Sequence, residues 1–241
     1  MSNRIVSALA YRSREVLDQL WPQHCFVCGE RAGLELVCTE CTPLLKRLPS
    51  GLCPCCALPT PVAGLHCGRC QRKPPWFDSS LAVFVYAHPL REMVLALKHG
   101  QGFGLIDWMG ASLAEIASSL KPDCVLPMPL HPARMALRGF NQSNELARCV
   151  ARKLGVRMRA ETVLREMDTP HLAGLRGRER LRAVRGAFRC VESLSGQHVL
   201  VVDDVMTSGA TLNELARTLK QSGAARVTNL VLARTLKEKQ A

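Results

Sequence analysis

Residues 199–211 read Val-Leu-Val-Val-Asp-Asp-Val-Met-Thr-Ser-Gly-Ala-Thr, and this stretch indicates the class of the domain around it. Its first four residues are apolar, which is typical of a strand buried on both faces. Asp203 and Asp204 follow, and a loop of small residues then leads into an amphipathic helix. The order strand, two acids, loop and helix predicts an α/β domain with a ligand at the carboxyl end of this strand.

The loop after the two acids has the composition of an anion site. Free backbone N–H groups and the positive end of the helix dipole favour negative charge at a helix N-terminus. Gly209 and Ala210 let the backbone approach a ligand closely, while Thr207, Ser208 and Thr211 offer hydroxyl donors. The loop favours phosphate, whereas the adjacent carboxylates favour hydroxyl groups or a metal ion. A ribose 5-phosphate carries both kinds of group, so we predict a ligand of this class.

The stretch lacks the signatures of two common phosphate-binding turns. A Walker A loop requires Gly-Lys-Ser/Thr after its four spacer residues, and a dinucleotide turn requires Gly-x-Gly-x-x-Gly. Residues 199–211 have neither pattern. The remaining alternative is a buried strand, a turn and a capped helix in an unrelated α/β fold. The stretch resembles the phosphoribosyl pyrophosphate (PRPP) motif of type I phosphoribosyltransferases, which implies that the loop holds the 5′-phosphate and the paired acids meet the ribose hydroxyls.

Nine of the twelve cysteines lie between residues 25 and 70 and include four Cys-x-x-Cys pairs. One such turn places two thiolates on one side, and two turns complete a tetrahedral S₄ site. The spacing predicts one or two structural zinc ions, bound by Cys25, Cys28, Cys38 and Cys41 and by Cys53, Cys56, Cys67 and Cys70. The alternatives are interleaved pairing of the turns, an iron–sulfur cluster, or His24 or His66 in place of a thiolate.

The whole chain has 241 residues, which is room for one sizeable α/β domain and a small additional module. Its net charge of +12 favours an anionic partner such as nucleic acid or a nucleotide. Residues 131–190 contain fourteen Lys and Arg and five Asp and Glu, so +9 of that charge lies there. The sequence has neither a long apolar run nor the apolar core of a signal peptide. We therefore expect a cytoplasmic chain with reduced thiols and no membrane insertion.

The sequence pattern divides the chain into three parts. We predict an amphipathic N-terminal helix over residues 1–23, a cysteine-rich double zinc ribbon over 24–71 and a phosphoribosyltransferase-like domain over 79–236. Within the third part the pattern predicts strands over 81–87, 123–127, 199–202 and 226–233, with helices over 89–98, 105–120, 142–154 and 212–222. This alternation predicts a mainly parallel sheet with helices on both faces.

Three cations of this domain are candidates for the pyrophosphate side of the ligand. Lys98 ends a predicted helix, and Arg134 and Arg138 follow the proline-rich loop after strand 123–127. Guanidinium groups suit pyrophosphate because its oxygens accept paired hydrogen bonds. The arginine-rich segment 165–189 is interpreted as a mobile hood over the ligand, a flap facing nucleic acid, or a solvated basic loop.

Taken together, the chain resembles the ComF family of competence-associated proteins, which pair an N-terminal zinc ribbon with a phosphoribosyltransferase-type domain. The resemblance covers nearly the whole chain. It rests on the Cys-x-x-Cys series, Leu97-Lys98, Pro-Met-Pro-Leu at 127–130, Arg-Gly-Phe-Asn-Gln at 138–142, Arg-Gly-Ala-Phe at 185–188 and the loop within 202–211. Two positions depart from the family pattern, with Leu172 in place of a Gln and Ala183 in place of an Asn. These losses bear on catalysis more than on phosphate binding.

The resemblance implies a role in handling single-stranded DNA during natural transformation, or in the use of DNA as a nutrient, with PRPP or a related ribose 5-phosphate as ligand. Two classes of function stay open. A Mg²⁺-dependent phosphoribosyltransferase would displace pyrophosphate from C1 of PRPP. A binding module without turnover would sense PRPP or hold single-stranded DNA, with a competence helicase as a partner. The sequence identifies neither a catalytic base nor the acceptor.

Overall fold

The computed structural model describes residues 23–33, 35–168, 179 and 182–236. In chain order its elements are strands β1 (Gln23–His24) and β2 (Arg31–Gly33), helix α1 (Gly68–Arg72), strand β3 (Ser79–Val85), helices α2 (Leu90–Lys98) and α3 (Leu105–Ala117), strand β4 (Cys124–Pro127), helices α4 (Pro132–Arg138) and α5 (Gln142–Leu154), strands β5 (Val163–Arg165), β6 (Phe188–Cys190) and β7 (His198–Met206), helix α6 (Ala210–Gln221) and strand β8 (Arg226–Arg234). A short 3₁₀ helix over Thr42–Leu44 lies between β2 and α1.

Strands β3, β8, β7 and β4 form a parallel sheet in that order. The inner strands β7 and β8 pair from His198 with Arg226 to Met206 with Arg234. Their apolar runs are nearly continuous because each strand is covered on both faces. The predicted parallel sheet with helices is confirmed.

Strand β7 is longer than the predicted strand over residues 199–202. It continues through Asp203 and Asp204 to Met206, because Asp203, Val205 and Met206 pair with β8. Acidic residues are unfavourable in strands on average, so local sequence predicts an earlier end. The two carboxylates therefore belong to the strand itself.

Two hydrophobic clusters cover the sheet. Since successive strand residues point to opposite faces, Leu200 and Val202 join the cluster that contains the apolar sides of α2, α3 and α5. Val199 and Val201 join the cluster that contains the apolar side of α6. Through these four residues β7 packs against both helical layers.

The cysteine-rich part divides between these two layers. Cys25 and Cys41 pack within the cluster of α2, α3 and α5, whereas Cys53 and Cys70 pack within the cluster of α6. Strands β1 and β2 pair antiparallel on either side of the turn that carries Cys25 and Cys28. Each half of the double ribbon therefore extends one layer of the domain core.

Part of what the sequence predicts falls on residues outside this description. They include residues 1–22 of the predicted N-terminal helix and, in the arginine-rich segment, residues 169–178 (with Leu172), 180 and 181. The two ends of that segment are described, and there β5 and β6 pair antiparallel, with Leu164 opposite Arg189.

Within the part of the chain that the structure describes, every helix is too short or too polar to cross a membrane.

Candidate functional site

The loop between β7 and α6 has the geometry that its composition predicts. Gly209 precedes the helix with a φ of +77°, a conformation that glycine adopts without strain. A Cβ at this position would lie 2.6 Å from Cε of Met206. The Ser208 hydroxyl accepts a hydrogen bond from the Ala210 N–H at 3.3 Å. The helix starts at Ala210, two residues before the predicted start. Ala210 and Thr211 of the predicted loop are therefore the first two residues of the helix.

A cavity of about 330 Å³ lies at the carboxyl ends of β4 and β7. Its walls include Asp203, the loop residues Thr207, Ser208, Gly209, Ala210 and Thr211, and the cations Lys98, Arg134, Arg138 and Arg165. The structure thus brings the predicted phosphate loop and the three predicted pyrophosphate-side cations to one cavity. Arg165 is a fourth cation, which the sequence pattern did not single out.

Asp204 is buried beside the cavity and is paired with Lys98. The Lys98 Nζ lies 2.8 Å from Oδ2 of Asp204, and Gln142 donates to the same oxygen at 3.2 Å. Burial raises the pKa of Asp204, but the charge and hydrogen bond of Lys98 outweigh this effect and lower the pKa overall. Asp204 is therefore ionised, and Lys98 neutralises it.

Asp203 lines the cavity and has a different environment. Its Oδ1 accepts hydrogen bonds from the Ser143 hydroxyl at 2.9 Å and from the Asp204 N–H at 3.0 Å. Burial, followed by the neighbouring charge of Asp204, raises the pKa of Asp203 to about 7. Two adjacent carboxylates with opposite pKa shifts are typical of a functional site.

The N-terminus of α5 supplies the donors that reach both acids. Asn141 caps this helix by accepting from the Ser143 N–H at 3.0 Å, and it donates to the Met128 carbonyl at 3.0 Å. The cap ties α5 to the proline-rich loop after β4. Gln142 and Ser143 were not predicted as site residues. The N-cap signature of Asn141 marks the helix start in the sequence, but the pairing with Asp203 and Asp204 is a tertiary contact.

The arginines of the cavity are held by side chains around it. Arg134 donates to Oδ1 of Asp168 at 2.7 Å, and Arg138 donates to Oε1 of Gln142 at 3.3 Å. The guanidinium carbon of Arg165 lies 5.6 Å from the ring centre of Phe188. Burial, and then the charge of Arg134, lower the pKa of Arg165. Several cations close together favour a ligand with more than one negative charge.

The cysteines form two compact clusters in the sequential pairing. One contains Cys25, Cys28, Cys38 and Cys41, the other Cys53, Cys56, Cys67 and Cys70, and within each cluster all Sγ atoms lie within 4.8 Å of one another. The Sγ atoms of Cys28 and Cys38 are 3.8 Å apart, and those of Cys56 and Cys67 are 3.6 Å apart. A tetrahedral site with Zn–S bonds of about 2.3 Å requires S–S distances of about 3.8 Å. Both clusters fit zinc.

Residues beside the clusters have other partners. Cys55 points its Sγ at the Phe77 carbonyl, 3.8 Å away. Nδ1 of His24 lies 2.9 Å from the Gly29 carbonyl. The four-cysteine ligand sets are therefore complete without these residues, and the interleaved pairing is wrong.

Comparison with known proteins matches both parts of the chain. Residues 16–71 match the double zinc ribbon domain, and residues 146–240 match the phosphoribosyl transferase domain. The DNA utilization protein YhgH of Escherichia coli O6:H1 is 35% identical over 226 residues, which are 89% of this chain and 98% of that protein. Competence protein F of Haemophilus influenzae is 28% identical over 212 residues, 82% of this chain and 90% of that protein. The double-ribbon match favours zinc over an iron–sulfur cluster.

Among solved structures, the purine phosphoribosyltransferase of Pyrococcus horikoshii is 19% identical to this chain and aligns with a TM-score of 0.38. The alignment covers 55% of this chain and 75% of that one.

We expect the purified chain to bind two zinc ions, counted by native mass spectrometry. Cys56→Ser should reduce the count to one, because it removes a ligand of the second cluster. Cys55→Ser is the matched control and should keep both ions, since the Cys55 thiol faces a carbonyl instead. Equal metal loss in the two variants would contradict the assignment of ligands.

The raised pKa of Asp203 predicts a pH-dependent stability. Between about pH 4, the unfolded pKa, and about pH 7, the folded state holds a proton that the unfolded state has released. The free energy of unfolding should therefore fall as the pH rises through this window. Asp203→Asn should remove that part of the slope in urea unfolding without Mg²⁺.

The control for this measurement is Asp168→Asn. The hydrogen bond from Arg134 lowers the pKa of Asp168, so this group is ionised in both states across most of the window. Its slope should match that of the wild type. A wild-type slope in Asp203→Asn would show that Asp203 does not hold the proton.

Proposed function

The chain belongs to the ComF family of competence and DNA-utilisation proteins, and from this membership and the geometry of the cavity we propose that it binds PRPP in the cytoplasm as part of DNA uptake or use. The observation that supports the proposal most directly is the joint lining of one cavity. A helix N-terminus with hydroxyl donors, the carboxylate of Asp203 and four cations line the same 330 Å³ space. PRPP has a phosphate, a diol and a pyrophosphate to match these three groups.

The loop of residues 207–211 would bind the 5′-phosphate. Its N–H groups at the start of α6 and the dipole of this helix favour a dianion. The hydroxyls of Thr207, Ser208 and Thr211 add donors that need no charge. Because most of this binding comes from the backbone, it tolerates changes of side chains elsewhere in the site.

Asp203 would accept hydrogen bonds from the ribose hydroxyls, directly or through Mg²⁺. A carboxylate beside phosphate oxygens suits Mg²⁺, which prefers oxygen ligands and would add positive charge to the pyrophosphate. A nearby cation would also favour the ionised form of Asp203. Asp204 would act indirectly: its pairing with Lys98 would orient the end of β7, which carries Asp203.

Arg134, Arg138 and Arg165 would contact the pyrophosphate group. A guanidinium can donate two parallel hydrogen bonds to one phosphate, so three of them match a pyrophosphate well. This assignment differs from the sequence-based prediction in one respect. Lys98 was predicted to contact pyrophosphate, but it lies 2.8 Å from Asp204 and would serve that carboxylate first.

Binding and turnover are separable in this site. Transfer would form a bond from an acceptor base or amine to C1 as the bond between C1 and pyrophosphate breaks, and the arginines would stabilise the departing oxygens. Ala183, where the resemblance implies an Asn, has no polar group to offer to that step. Release of pyrophosphate in the presence of Mg²⁺ and a panel of bases and amines would support an active phosphoribosyltransferase, and its absence would support a binding protein.

We expect calorimetric titration with PRPP and Mg²⁺ to show binding by the wild type. The double substitution Asp203→Asn/Asp204→Asn should weaken it by about 100-fold or more, because it removes charge-assisted contacts of about 1.5–3 kcal/mol each.

The matched control for this titration is Asp107→Asn. Asp107 pairs with Arg152 on the surface, and its side chain is 81% exposed. This variant should bind PRPP as the wild type does. Failure of the folded wild type to bind would contradict the proposal.

Single-stranded DNA is a second candidate ligand. The charge of +9 over residues 131–190 favours it, and the matched relatives are named for DNA utilisation and competence. We expect fluorescence anisotropy with a labelled oligonucleotide to show affinity that falls as salt rises. The logarithm of the association constant should fall with the logarithm of the salt concentration, with a slope of about −0.7 per phosphate contact. An affinity that salt leaves unchanged would exclude a basic DNA-binding surface.

A further inference from the structure

Arg234, at the carboxyl end of β8, is the largest fully buried side chain of the described residues, with 1% exposure. Its guanidinium donates to the carbonyls of Cys56 at 2.9 Å, Met206 at 2.7 Å and Thr235 at 3.1 Å, and also to the carbonyl of Thr207. A buried cation is unfavourable unless its donors are satisfied. One side chain therefore joins a cysteine turn of the second cluster to the start of the anion-binding loop.

A second arginine makes a similar contact from the ribbon itself. Arg69 lies in α1 between the cluster ligands Cys67 and Cys70, and it donates to the Ser208 carbonyl at 3.0 Å. Three consecutive carbonyls of the loop, from Met206 to Ser208, thus accept hydrogen bonds from these two guanidinium groups.

These bonds orient the loop's donors. In a trans peptide unit the C=O and the following N–H point in opposite directions. Carbonyls held on the ribbon side therefore turn the N–H groups of residues 207–209 away from the ribbon. These residues line the cavity, so the same bonds present its donors to a ligand.

Packing adds to this connection. The Trp76 N–H, in the segment after α1, donates to Oδ1 of Asn213 in α6 at 2.8 Å. Phe77 shares the hydrophobic cluster of Met206 and Leu212. Cys25 and Cys41 of the first cluster pack in the other hydrophobic cluster, against the layer of α2, α3 and α5.

We infer that the second zinc cluster is the support of the anion-binding loop, with Arg69 and Arg234 as positioning residues. Loss of zinc from this cluster weakens binding of a phosphorylated ligand, whereas loss of zinc from the first cluster does not. Coupling of binding free energies between two sites is reciprocal, so a bound ligand strengthens zinc binding by the second cluster alone. The identity of that ligand as PRPP rests on the proposed function, whereas the role of the second cluster in positioning the loop does not.

The test without ligand is hydrogen exchange of the full chain, followed by mass spectrometry of a peptide over residues 203–212. We compare Cys67→Ser in the second cluster with Cys28→Ser in the first, since both cysteines are at least partly exposed. Cys67→Ser should speed exchange in the loop by about ten-fold or more, which corresponds to a loss of protection of about 1.4 kcal/mol. Cys28→Ser should leave loop exchange unchanged. Equal loop exchange in the two variants overturns the inference.

A milder pair of variants keeps the test valid if Cys67→Ser disrupts folding. Arg69 and Arg72 are both exposed residues of α1, and Arg69 is the one that donates to the Ser208 carbonyl. Arg69→Ala should keep two zinc ions and weaken PRPP binding by about five-fold, the size of one net hydrogen bond. Arg72→Ala should bind as the wild type. Equal affinities for the two variants contradict the positioning role of Arg69.

Zinc removal by a chelator at equilibrium gives a third readout. With PRPP present, one of the two ions should require more chelator for its removal, and Arg69→Ala should reduce this difference. If the wild type fails to bind PRPP while Cys67→Ser alone loosens the loop, the proposed function fails and the inference stands. If the wild type binds PRPP while the two cysteine variants exchange alike, the function stands and the inference fails.

Discussion

The end of β7 carries two adjacent carboxylates, of which Asp204 is buried and Asp203 is half-buried at the cavity wall, and their donors organise the surrounding structure. A carboxylate withdrawn from water requires donors from the protein. Lys98 comes from the last residue of α2, and Gln142 and Ser143 come from the first turn of α5. These contacts hold the ends of two helices at the same edge of the sheet. The cavity is the space that this arrangement leaves in front of Asp203.

The double zinc ribbon is part of the domain rather than an appendage. Its first half extends the layer of α2, α3 and α5, and its second half extends the layer of α6. Each half thereby brings a metal cluster into contact with the core. The halves differ in their contacts. Among the described residues, only the second half reaches the loop after β7: Arg69 donates to the Ser208 carbonyl, and Arg234 joins the Cys56 carbonyl to that of Met206. One half thus packs on a structural layer, and the other also contacts the loop that lines the cavity.

In the proposed complex, two different parts of the cavity would bind the two ends of a phosphoribosyl ligand. Backbone N–H groups, which every residue except proline carries, would bind the 5′-phosphate. Arginines, each held by a neighbour such as Asp168 or Gln142, would bind the pyrophosphate. A chain can therefore keep its affinity for such a ligand while it loses groups required for turnover. This separation agrees with a family in which the phosphoribosyltransferase domain accompanies a role in DNA use.

Local sequence was sufficient for the parallel α/β domain, the small-residue loop at the start of α6 and the two four-cysteine clusters, because apolar runs, small-residue loops and Cys-x-x-Cys turns act over a few neighbouring residues. It placed the end of β7 too early and did not indicate that Lys98 pairs with Asp204. That ion pair, the donors on Asp203 and the bridge of Arg234 to Cys56 join residues up to 178 positions apart. Such contacts depend on how the two layers pack on the sheet, and burial there decides which charges must pair.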